Sequence, residues 1–287
     1  MDISKKAEYR VSRDANILAV TNDFIVVSNG NSVTTFDANL REVRKMHVRD
    51  DLAIHHIYIN HEKNELILYC PDNACVIWVD LVNEVHKEIP LPEILLQRSL
   101  SPAYYWLEDL VIFVPRDFEI YCDFEEYYEL NISMSAWDII SFNVLKYASP
   151  GLANLIETIF INAGSDFQLR DGYLTLEKSQ YYPELTVVIY RNSFLIERPA
   201  FTYHDVLYAH NMIVFVGLEQ LQVAIPLGDQ HDRDYQKMAL EVPEGYQFSK
   251  VATDFGPHGL RLVALCIGHE ASLLVIYQVY GVPQKLE

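Results

Sequence analysis

The chain has 287 residues, half of them hydrophobic and 22% charged, a globular balance that argues against disorder and leaves room for a sizeable core. Forty acids against 22 Lys and Arg give a formal charge of −18. That disfavours nucleic-acid binding through a basic face, because phosphate affinity needs clustered positive charge.

No apolar stretch reads as a membrane span, which needs about 18 nearly uninterrupted apolar residues. Ile17–Ser28 is cut by Asn22 and Asp23, and Leu260–Tyr280 by Arg261, His269 and Glu270. The charged start Met1–Lys6 has no apolar run of a signal peptide, and four cysteines do not make a disulfide framework. A cytoplasmic, reducing location and no membrane partner are expected.

Taken in order, the chain reads as short β runs separated by turn residues. Phe24–Ser28 and Ser32–Asp37 flank Asn29-Gly30-Asn31, and an Asn-Gly between two such runs is a strong hairpin signal because it tolerates positive φ. Leu40–Val48 follows. Four more runs, Ile54–Asn60, Glu65–Cys70, Cys75–Asp80 and Val82–Ile89, repeat the order. Second runs of successive units start near Phe24, Leu66, Leu110, Tyr173, Met212 and Arg261, so four of the five intervals are 42, 44, 39 and 49 residues. That period fits blades of four antiparallel strands.

The remaining interval, 63 residues, is about 20 longer than a blade. The excess falls in 133–162. There Ser135 offers a capping oxygen, and Leu152, Leu155, Ile156 and Ile159 fall on one helical face, which predicts a helical hairpin. The final unit shows three runs, Phe248–Asp254, Leu260–Ile267 and Ser272–Tyr280. Tyr9–Ser12 is predicted to supply its fourth strand.

The expected fold is therefore mainly β: a single-domain β-propeller over 1–287, of six four-stranded blades, with 133–162 inserted as helices between the third and fourth. Seven blades, or two β-sandwiches, are the alternatives.

Motifs that would carry chemistry are absent. There is no G-x-G-x-x-G, no phosphate-binding loop and no G-x-S-x-G. Among ten histidines, His55 and His56 point to opposite faces of a strand, and His61 lies about 20 Å along the chain from His55. Cys70 and Cys75 would face each other across a short loop, close enough for a disulfide, but are read as buried hydrophobes. Asp229–Asp234 departs from a calcium loop at most of its liganding positions. No cofactor and no metal site is expected.

The segment Tyr104–Asn131 is unusual. Eight acids and one base interleave with nine aromatic residues. Acids steer toward a basic partner, and Tyr or Trp supplies rigid contact area; the competing reading packs the aromatics inside and leaves the acids to solvate the blade. The expected contact residues are Trp106, Glu119, Glu125, Glu126, Tyr127, Tyr128 and Glu129, with strand parity allowing at most one of the two tyrosines to count. These features point to a non-enzymatic module that binds a basic protein, in its narrower form an immunity-type antidote to a cationic toxin. A carbohydrate hydrolase or lyase is the alternative.

Overall fold

The computed structural model describes residues 2–97, 100–115, 126–141, 175–178, 185–190, 192–197, 199–209, 212–226, 235–256 and 259–280. Strand β1 (Asp2–Val11) comes first. Sheet A follows with β2 (Ile17–Val20), β3 (Ile25–Ser28), β4 (Ser32–Phe36) and β5 (Glu42–His47). Sheet B holds β6 (His56–Asn60), β7 (Glu65–Cys70), β8 (Cys75–Asp80) and β9 (Val85–Pro90); the short helix α1 (Glu93–Gln97) follows it. Sheet C holds β10 (Leu100–Leu107), β11 (Leu110–Pro115), β12 (Glu126–Asn131) and β13 (Ala136–Ser141). Sheet D has β14 (Thr175–Lys178), β15 (Leu185–Tyr190) and β16 (Asn192–Glu197). Sheet E has β17 (Tyr203–Ala209), β18 (Met212–Gly217), β19 (Gln220–Pro226) and β20 (Tyr235–Glu241). Sheet F has β21 (Tyr246–Gly256), β22 (Gly259–Gly268) and β23 (Ser272–Tyr280), completed by β1.

Five of these sheets are four-stranded, and each runs as an antiparallel meander in chain order apart from β1. The Asn29-Gly30 signal is met: β3 and β4 pair from Ile25↔Phe36 to Ser28↔Val33, and Gly30 takes φ 93°. β1 pairs with β23 from Asp2↔Tyr280 to Val11↔Ser272, so the strand expected at Tyr9–Ser12 is present and longer.

The chain divides into two compact units: Met1–Asp51 with His61–Asn64 and Leu176–Glu287, and Leu52–Asn60 with Glu65–Thr175. In the first unit β22 is buried on both faces. Val263 and Leu265 pack with Val27 and Phe36 of sheet A. Leu262 and Ala264 pack with Val214 and Val223 of sheet E. This double burial is why Leu260–Ile267 reads as a nearly unbroken apolar run instead of an alternating one. Each fully buried Val, Leu or Phe contributes about 1.5–3 kcal/mol.

The same unit holds a buried polar clamp. Asn64 Oδ1 accepts from Thr21 Oγ1 at 2.6 Å and from the Asp23 N–H at 3.1 Å, while its Nδ2 donates to Asp23 Oδ2 at 2.7 Å. Asn64 sits at φ 57°, a left-handed conformation that Asn tolerates better than most residues.

The second unit packs sheet B against sheet C. Tyr58, Ile67, Val76 and Ile89 meet Val111, Phe113, Tyr128 and Leu130, and Leu95 of α1 joins them. The Tyr58 ring lies 4.7 Å from Phe113 and 5.1 Å from Tyr104, both edge-on. The Tyr104 hydroxyl donates to the Ile59 carbonyl at 2.8 Å and accepts its N–H at 3.0 Å.

The helical insertion needs correction where it is described. Ser135 closes a turn at φ 53°, and Ala136–Ser141 is strand β13 instead of a helix start. A Ser oxygen before an apolar run serves a turn as well as a helix cap, and Trp137, Ile139 and Asp138 alternate with the period of a strand. The rest of the expected helices, 142–162, lies outside the described residues. No helix among the described residues is long and apolar enough to cross a membrane. Cys70 and Cys75 are direct cross-strand partners and carry buried thiols.

Candidate protein-binding surface

Sheet C presents two turns at one corner. Leu107 and Leu110 pair across the two-residue turn Glu108-Asp109. The second turn, Ile132–Ser135, is shaped by Asn131, whose Oδ1 accepts from the Met134 N–H and the Ser133 hydroxyl, each at 2.9 Å. The Ile132 N–H donates to the Asp109 carbonyl at 2.8 Å and ties the two turns together. From sheet B, the Lys87 ammonium donates to the carbonyls of Ile132 and Ser133, both at 3.1 Å. The Trp137 indole N–H donates to the Pro90 carbonyl at 3.0 Å.

What this scaffold exposes is apolar and acidic together. Met134 is 74% exposed and Leu107 52%, beside exposed Glu108 and Asp109. Trp106 is half-buried under the first turn and donates its indole N–H to the Glu108 carbonyl at 3.1 Å. The left-handed Glu108 and Ser135 do not mark the corner as special, since Leu40, Ala74 and Glu84 take the same conformation in other turns.

The residues expected from sequence are placed unequally. Trp106 adjoins the corner. Glu129 is half-buried and stands in register between Ile112 and Asp138. Glu126 opens β12, paired with Ser141. Tyr127 and Tyr128 do point to opposite faces of β12, yet both are buried, 0% and 1% exposed; neither ring offers contact area to a partner. Glu119 and Glu125 lie outside the described residues, as does the stretch Asp229–Asp234. Met134, Leu107 and Lys87 went unnoticed in the sequence. A hairpin reading of Asn131–Ser135 would have brought Met134 to a turn tip.

Elsewhere, His55 Nε2 lies 2.9 Å from Asp72 Oδ2, and the His56 ring stacks edge-on to Tyr58 at 4.8 Å. Among the described residues no three His, Cys, Asp or Glu side chains converge as metal ligands would. In the first unit, β17 and β21 both carry a register shift, at Tyr203/Asp205 and at Phe248/Lys250. There the His204 Nε2 lies 3.2 Å from the Ser249 carbonyl. Burial pushes the Asp205 carboxyl up, against the opposing pull of Lys250, the Val206 N–H and His204.

No family model and no curated protein matches the chain. Solved structures do. The β-propeller domain of Cps50 (Swd1) from Myceliophteria thermophila is similar at a TM-score of 0.53 and 11% identity, over 97% of this chain and all of that one. The fold is a β-propeller. A chain in the mitotic checkpoint complex is similar to this propeller at a TM-score of 0.54 and 9% identity, over 97% of this chain and 92% of that one. Identity this low carries architecture alone.

Proposed function

We propose that this propeller is a non-enzymatic binding protein whose corner on sheet C takes a basic protein partner. The observation that carries the reading is Met134 and Leu107, 74% and 52% exposed, set beside Glu108 and Asp109 on two turns locked to each other. Exposed apolar side chains beside a pair of exposed acids suit a contact in which the charges steer the encounter and the apolar groups hold it. The narrower form, an antidote to a cationic toxin, rests on the charge of −18.

A strongly cationic ribonuclease serves as the probe, with binding followed by surface plasmon resonance across a salt series. Affinity is expected to fall as salt rises, because exposed charges are screened beyond about 8–10 Å at physiological ionic strength. The double change Glu108→Lys with Asp109→Lys is expected to slow association about 10-fold, and Met134→Ala to speed dissociation. A dissociation constant indifferent to both salt and the double reversal would reject the corner.

A further inference from the structure

A sheet edge presents outward N–H and C=O groups that can pair with another chain, and proteins blunt such edges with Lys, Pro or bulges. Among the described residues, one edge of each of the five four-stranded sheets is formed by β5, β9, β13, β20 or β1. β5 carries Arg44 and Lys45, and its pairing with β4 shifts register between Thr35 and Phe36. β9 carries Lys87 and Pro90, and β20 carries Lys237. β1 carries Lys5, Lys6 and Arg10 and is bulged between Lys5 and Ala7. β13 reads Ala136-Trp137-Asp138-Ile139-Ile140-Ser141, with no Lys, Arg or Pro, and pairs with β12 along its whole length without a shift. Ile139 on it is 46% exposed, and Ala136 and Asp138 are exposed too.

Charge says what such an edge would accept. Glu129 and Asp138 stand directly opposite each other in the ladder, and like charges in that position are destabilising. A cation on a further strand beside Asp138 relieves that repulsion. Asp138 Oδ1 meanwhile accepts the Ile139 N–H at 2.8 Å, so that donor turns to its own neighbour, and a carbonyl on an added strand can take its place. The exposed Met134 lies on the turn that leads into β13, which makes the edge continuous with the corner.

We propose that the β13 edge binds an extended, lysine- or arginine-bearing segment of a protein partner as an added strand. This rests on the protein-binding reading above and names its mode.

The probe is a short blocked peptide of alternating valine and lysine, read by hydrogen exchange and by titration. Saturating peptide is expected to slow exchange at the amides of 137–141, and the matching valine–glutamate peptide to leave them unchanged. Ile139→Lys and, separately, Asp138→Lys are expected to weaken the peptide about 10-fold. Both sites are exposed, and circular dichroism checks that the variants fold. Peptide binding that leaves β13 unprotected, or that both variants leave intact, overturns the proposal. So does dimerisation of the chain that Ile139→Lys abolishes, which would give the edge to a second copy. If the ribonuclease binds with salt dependence while β13 stays unprotected, the strand mode alone falls; if no cationic probe binds, the protein-binding reading falls with it.

Discussion

Asp205 is half-buried on β17, and burial is the main reason its carboxyl is raised. A carboxyl whose folded pKa lies above its unfolded value, about 3.9, favours the fold most when protonated. Its contribution is lost as pH rises through the folded pKa, so at neutral pH the ionised group costs stability. Asp205→Asn keeps an oxygen to accept the Val206 N–H, now made at 2.9 Å. The variant is expected to be more stable than the parent at pH 7, with the difference closing below about pH 4. Urea unfolding at both pH values measures it. A less stable variant at pH 7 would mean that attraction from Lys250 outweighs desolvation.

Among elements, β1 is the most exposed to test. It is an edge strand, yet Ile3 packs against the core between sheets E and F, and Ala7 and Val11 against the core between sheets F and A. Its Tyr9 ring sits 5.2 Å from Phe36. Deleting residues 2–11 strips these contacts and bares the long, apolar β23. A loss on the order of 3 kcal/mol or more is expected, with aggregation through the new edge; thermal melts and size-exclusion chromatography follow both. An unshifted melt and a monomeric elution would mean that β1 is dispensable. This strand was legible in the sequence because the last unit visibly lacked a partner. The hairpins were legible because turn residues such as Asn29-Gly30 punctuate them. The start of β13 was not, because Ser135 fits a helix cap and a left-handed turn equally well. The helix α1 went unseen because five residues after Pro92 carry no periodicity to detect. At the candidate surface, parity correctly separated Tyr127 from Tyr128. It could not say that both rings would be buried, because burial depends on what lies over a strand and leaves no trace within it.

At the scale of the whole molecule the charge is unevenly spread. Residues 1–49 hold eight Lys and Arg against six acids, and the other 238 residues hold 14 against 34. A net charge this far from zero opposes compaction through self-repulsion. The melting temperature is therefore expected to rise between low salt and about 0.5 M sodium chloride, as screening shortens to a few ångströms. A melt that falls with salt would mean that attractive pairs outweigh the repulsion. The cationic start of the chain has a second consequence, in time instead of space. The Ser272 hydroxyl meets the Arg13 carbonyl across 259 residues of sequence, and β1 has no described neighbour but β23 in its sheet. On a ribosome adding about 5–20 residues per second, β1 waits roughly 13–50 s for that partner to be made. A strand of purely apolar residues would spend the interval seeking others of its kind. Lys5, Lys6, Glu8 and Arg10, set among Ile3, Ala7 and Val11, keep the newborn strand soluble until its partner emerges.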